Sequence, residues 1–209
     1  MLLRQLTPCC AQTQQVRGFW RWLVPVFNRY SEKEVLEIGG ELATARWILR
    51  NGGGVRWAGQ QRYSRDYNSL PAGPTPGLRI EGIDASDSSV SAGGFRHLQH
   101  LSGLCSLKLA RCEYASDHCL QALAAVRDSL LHLDITSCYS LTEHGLMALQ
   151  ALHRLQTLFL YDLPSVQDRL TCLHSLRSAL PQTKIAFEAY DQQAKLKVAD
   201  QRPPGFPKL

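Results

Sequence analysis

Leu130-Leu131-His132-Leu133-Asp134-Ile135-Thr136-Ser137-Cys138-Tyr139-Ser140-Leu141-Thr142-Glu143-His144-Gly145-Leu146-Met147-Ala148-Leu149 changes its apolar period partway along. Leu133 and Ile135 alternate, as the buried face of a strand does. Leu146 and Leu149 are three apart, as one face of a helix requires. Cys138 sits between the two patterns, where the chain must leave the strand. The unit recurs upstream as Leu104-x-x-Leu107-x-Leu109-x-x-Cys112, with Leu120 and Leu123 as its helical positions. Downstream it recurs as Leu155-x-x-Leu158-x-Leu160-x-x-Leu163. A weaker first copy is Ile80-x-x-Ile83-x-Ala85-x-x-Ser88, with Phe95 and Leu98 on its helix.

The copies start at residues 80, 104, 130 and 155, so their spacings are 24, 26 and 25 residues. That is the period of a leucine-rich repeat, here of the cysteine-containing type. One strand–turn–helix unit cannot bury its apolar side alone, so such units stack, and the stack needs a polar-backed cap at each end. The predicted fold is α/β: a leucine-rich-repeat solenoid of about four repeats over residues 78–190, behind a small N-terminal helical capping domain over 19–77. Leu180-Pro181 followed by Ile185-x-Phe187 predicts a closing strand. Residues 191–209 turn polar and proline-bearing, which predicts a disordered tail.

Within the cap, residues 32–38 and 41–50 are helix candidates, the second with Leu42, Ala45 and Ile48 on one face. Asn51-Gly52-Gly53-Gly54 stops that helix. Val55-Arg56-Trp57 predicts a short strand, and residues 68–77, with three prolines and two glycines, a loop. Ahead of the cap, Met1 to Ser31 holds Arg4, Arg17, Arg21 and Arg29 but no Asp or Glu; the first acid is Glu32. An acid-free, arginine-bearing start over residues 1–18 reads as a mitochondrial transit peptide, the alternative being a merely disordered basic terminus.

Composition is that of an ordinary globular protein: 209 residues, 44% hydrophobic, 20% charged, net charge +5. No Lys/Arg cluster is dense enough to track a phosphate backbone, which argues against nucleic acid as a partner. No apolar run approaches the roughly 20 residues of a membrane helix. The longest, Phe19 to Phe27, is broken by Arg21 and Pro25 but could touch a membrane or a partner. Seven cysteines with no C-x-x-C pair fit neither a disulfide framework nor a zinc site. Cys112 and Cys138 read as structural, with a metal or redox role the minority alternative.

Strand alternation places a second set of side chains on the concave face, opposite the inward Leu/Ile set. These are Gly82, Asp84 and Ser86; Ser106, Lys108 and Ala110; His132, Asp134 and Thr136; Thr157, Phe159 and Tyr161. Asp84, Lys108, His132, Asp134, Phe159 and Tyr161 are the candidate partner contacts, with exposed aromatics at one end suited to an interface core. Catalytic readings are poorer. His97-x-x-His100 falls on a repeat helix, where solvated histidines are expected. His132 and Asp134 could form a dyad, but no nucleophile accompanies them. The Gly52–Gly54 run lacks the Lys-Ser/Thr of a phosphate-binding loop, and Asp84 to Ser88 lacks the Gly and terminal Glu of a calcium loop.

Several stretches bring a family into view: Phe19-Trp20-x-Trp22-Leu23-x-x-Val26-Phe27-Asn28, Trp47-Ile48-Leu49-Arg50-x-Gly52, Asp66-Tyr67-Asn68-x-Leu70-Pro71-x-Gly73-Pro74 and Ile83-Asp84-Ala85-x-Asp87-Ser88. They resemble the mitochondrial ATP synthase coupling factor B (ATP synthase subunit s) family, from about Phe19 to Phe187. The resemblance implies a non-catalytic peripheral protein on the matrix side of the inner membrane, bound to the proton-conducting sector of ATP synthase and limiting proton leak. It also implies a divalent-cation (Mg2+) site using the Gly52 carbonyl and Ser86, where the family has Thr. Two neutral oxygens alone are a weak set for a hard cation. The family ends its second repeat strand in a Cys-x-Cys dithiol. Here the stretch is Ala110-Arg111-Cys112, which leaves Cys112 as the one redox candidate at that place.

A related group of mitochondrial repeat proteins assembles the distal membrane arm of respiratory complex I, so complex I assembly intermediates are the alternative partners. An F-box-type substrate adaptor would need an upstream F-box helix set, which is missing, and conflicts with the leader. A metal-dependent enzyme is the remaining class and the one least supported by the residues.

Overall fold

The structure, a computed structural model, describes residues 22–188. The predicted leader (1–18) and tail (191–209) lie outside the described residues. A single six-stranded sheet runs in sequence order. Its strands are β1 (Gly54–Trp57), β2 (Ile80–Asp84), β3 (Ser106–Ala110), β4 (His132–Thr136), β5 (Thr157–Tyr161) and β6 (Lys184–Glu188). β1 is antiparallel to β2, and every later pair is parallel. The described part of a first helix, α1, covers residues 22–27. The others are α2 (Glu32–Ile38), α3 (Gly40–Arg50), α4 (Ala92–Phe95), α5 (Asp117–Ala122), α6 (Glu143–Ala148) and α7 (Arg169–Ala179).

The register shows why the copies share a period. Ile83, Leu107, Leu133, Leu158 and Ile185 are successive partners across the sheet, and Leu109, Ile135, Leu160 and Phe187 form the next row. One apolar ladder stacks on another, so each strand shields its neighbour. The helical positions close the other side: Phe95, Leu98, Leu120, Leu123, Leu146 and Leu149 are all buried. At about 25 cal/mol per Å2 of apolar surface, each such side chain contributes on the order of 2 kcal/mol.

Each of the strands β2 to β5 is followed by a turn residue with left-handed backbone, namely Asp87, Arg111, Ser137 and Asp162, with φ of 57, 53, 50 and 51°. None is glycine, so each carries a steric penalty. The same geometry lets each amide extend the sheet ladder, since Asp87, Arg111, Ser137 and Asp162 donate to the carbonyls of Ala110, Thr136, Tyr161 and Glu188 at 2.8 to 3.2 Å. Just beyond, the Cys112 thiol donates to the Ala85 carbonyl at 2.9 Å, and the Cys138 thiol to the Leu109 carbonyl at 3.5 Å. Ser88 bonds back to Ala85 at 2.7 Å. A small donor at this place ties the turn to a carbonyl at or near a strand end.

Helix approach explains Gly145. A Cβ there would lie 2.3 Å from the Asp117 carboxylate, which accepts from both the Thr142 amide (2.9 Å) and its hydroxyl (2.6 Å). The cap is not a separate body. One core cluster runs without interruption from Ala45, Trp47 and Ile48 to Leu176, so the division near residue 77 falls in a loop while the packing crosses it.

Candidate functional site

The side chains that alternate outward lie on the sheet face away from the helices. Lys108 stands between Asp84 and Asp134 in register, and Phe159 follows Asp134. The row beside it holds Ser106, His132 and Thr157. His132 Nδ1 is 2.9 Å from the Thr157 hydroxyl. Its pKa is lowered by burial and then by the charge of Arg56, so the imidazole is neutral at pH 7. The Thr136 hydroxyl donates to Asp134 at 2.8 Å. Arg56 reaches across from β1 to the Ser106 hydroxyl at 3.3 Å and to Glu81 at 3.5 Å.

Two of the expected contacts differ from expectation. Phe159 is 8% exposed and Asp134 only 2%. Both are flanked in register by strands on either side, and Phe159 stacks on Tyr161 with centroids 6.2 Å apart. The face still offers Asp84, Lys108, His132 and Tyr161, each half-buried. The histidine expectation is corrected too. His97 is 2% exposed, stacked on Trp47 at 5.5 Å and edge-on to Tyr30 at 5.0 Å. Burial pushes its pKa down to about 4, so it packs as a neutral aromatic. The sequence pattern marked a helix but could not show that the cap covers this face of it.

The two positions implied as cation ligands are brought close, but not to an open oxygen set. Gly52, at φ +88°, turns its carbonyl to accept from Arg65 Nη1 at 3.1 Å. Arg65 Nη2 pairs with Asp84 Oδ2. The other Asp84 oxygen accepts from the Ser86 amide at 3.0 Å and its hydroxyl at 2.6 Å. A metal brought to Gly52 and Ser86 would meet a guanidinium already bonded to the same carbonyl and carboxylate. These residues do not fit an added divalent cation. Among the described residues no group of three or more His, Cys, Asp or Glu is placed to hold a metal.

Cys112 is fully buried. Its thiol is pushed far up by its hydrogen bond with the Cys138 sulfur and by burial, which disfavours the nucleophilic thiolate. Cys105, Cys119, Cys138 and Cys172 are also free thiols, so no disulfide joins them.

Sequence reasoning missed a polar hub between cap and first repeat. Asn28, 2% exposed, accepts from Trp47 Nε1 at 3.0 Å and the Ser91 amide at 2.8 Å. Its own amide donates to Asn51 Oδ1 at 3.0 Å and the Ser89 carbonyl at 2.8 Å. Asn51, 4% exposed, donates to the carbonyls of Phe27 and Trp47 at 3.2 and 2.8 Å. Trp47 needs Gly94 opposite it, because a Cβ there would lie 2.0 Å from the indole. The only signal in the sequence was Asn28 at the end of the aromatic run.

Fold and site together define an α/β protein of in-register strand–turn–helix units, capped at one end and carrying a mixed-charge sheet face. No protein-family model matches the chain. It is 36% identical over 175 residues to the mitochondrial ATP synthase subunit s of Bos taurus, covering 82% of this chain and 88% of that one. With the Rattus norvegicus protein of the same name it shares 38% over 172 residues, 81% and 86% of the two chains. The chain belongs to the ATP synthase subunit s (coupling factor B) family. A more distant likeness, 25% over 186 residues, is to distal membrane arm assembly component 2 of Drosophila melanogaster, covering 85% of this chain and 66% of that one.

Proposed function

We propose that this protein is a leucine-rich-repeat solenoid that serves as a non-catalytic accessory coupling factor of mitochondrial ATP synthase. It docks on the proton-conducting sector at the matrix side of the inner membrane and limits proton leak. The observation that carries the reading is the family membership, with identity extending over most of both chains. The geometry is consistent with contact rather than turnover: the outward sheet face carries Asp84, Lys108 and His132 on three adjacent strands, and the hydroxyl bonded to the His132 imidazole belongs to buried Thr157. Association with the membrane would be peripheral, since among the described residues no helix is long and apolar enough to cross it. Nucleic acid is not the partner in this reading.

The second reading is assembly of the membrane arm of complex I, favoured by the likeness to distal membrane arm assembly component 2. Native gel electrophoresis of gently solubilised mitochondria carrying a tagged copy separates the two. Migration with ATP synthase is expected. A Lys108→Glu/His132→Glu variant should fold and migrate free of the complex. Migration of the wild type with complex I intermediates would replace the first reading by the second.

A further inference from the structure

The turn after α3, the strand β1 and the end of β2 meet at one guanidinium. Val55 and Ser64 exchange amide bonds at 2.9 and 2.8 Å, which sets Arg65 beside the glycine turn. Gly54 has no Cβ; one there would come within 3.0 Å of Arg65 Cγ, so the side chain passes where a larger residue would crowd it. Its head then bonds the Gly52 carbonyl and Asp84 Oδ2, while Ser86 fills the other Asp84 oxygen twice. The three oxygen-bearing groups a hard cation would use are therefore grouped around one carboxylate, and one positive charge already balances it.

The surroundings argue the same way. Lys108 is the register partner of Asp84. Arg111 makes two 2.6 Å bonds to Asp87, whose pKa is lowered first by that bond and further by the charges of Arg65 and Lys108. A divalent ion would add charge to a place where three cations already face two carboxylates. Mg2+ prefers carboxylate and carbonyl oxygens, and here the guanidinium already occupies both the Asp84 carboxylate and the Gly52 carbonyl.

We propose that Arg65 is the built-in cation of this junction: its guanidinium holds Gly52 and Asp84 together in the place where the family resemblance puts a divalent ion. The wild-type chain is then indifferent to Mg2+, and removing the guanidinium opens a site that Mg2+ can fill. Thermal unfolding of the full chain reads this, comparing about 10 mM MgCl2 with NaCl of equal ionic strength. The wild type should show the same midpoint in both salts. Arg65→Ala should melt several degrees lower in NaCl and recover part of the loss in MgCl2, and Ser86→Ala in that background should abolish the recovery. A saturable rise of the wild-type midpoint with MgCl2 overturns the proposal, as does an Arg65→Ala chain that Mg2+ leaves unchanged. Should Arg65→Ala fail to fold, calorimetric titration of the wild type with MgCl2 decides: absence of binding heat is the expected result, and a saturating isotherm overturns it.

Discussion

Asn28→Ala removes the side chain on which the cap–repeat junction turns. The substitution takes one acceptor from two donors, the buried Trp47 Nε1–H and the half-buried Ser91 amide. It also takes a donor from Asn51 Oδ1 and the Ser89 carbonyl, although Asn51 Oδ1 keeps the Ser89 hydroxyl at 3.1 Å. A buried polar group left without its partner costs about 1–3 kcal/mol. The two donors together put the loss at about 4 kcal/mol, a large share of the roughly 5–15 kcal/mol that holds a domain folded. Urea unfolding followed by circular dichroism should show a lower midpoint with an unchanged slope, because the same surface is exposed. Asn68→Ala, on the exposed loop, should stay within about 0.5 kcal/mol of wild type. A loss below about 1 kcal/mol for Asn28→Ala would mean that water or a neighbour replaces the amide, and the junction would then owe its strength to Trp47 and Phe95 packing.

Three further outcomes follow from the same geometry. Gly145→Ala should cost about 2 kcal/mol in the same unfolding assay, because its methyl group meets Asp117 and breaks the bonds to Thr142. His97 holds its proton less tightly folded than unfolded, with a pKa of about 4 against 6.5. Its contribution is therefore present above pH 6.5 and lost as pH falls towards 4, up to about 3 kcal/mol; a His97→Leu chain should show a flatter stability profile across that window. In native protein, iodoacetamide should reach half-buried Cys105 well before Cys112, Cys119, Cys138 or Cys172, as read by mass spectrometry among the described thiols. Early labelling of Cys112 would restore it as a redox candidate.

The strands and the apolar faces of the helices were legible because a repeat states its pattern several times: Leu133, Ile135 and Leu146 each have counterparts one period away. The closing strand was legible from Ile185 and Phe187 alone, since their alternation matches the strand before. What failed was anything settled by a contact between distant segments. Solvated His97 became buried because Trp47 and Tyr30, some 50 and 67 residues earlier, cover it. Phe159 and Asp134 alternate outward as expected, yet alternation gives direction, not exposure. The Arg65 pairing was hidden for the same reason: a lone arginine in a loop carries no sign of which carboxylate it will meet.

The proposed role in limiting proton leak through ATP synthase is tested by respiration of mitochondria depleted of this protein, with ADP exhausted. Faster respiration that oligomycin suppresses is expected, restored by the wild-type chain but not by Lys108→Glu/His132→Glu. Unchanged oligomycin-sensitive respiration together with a deficit of assembled complex I would contradict that role.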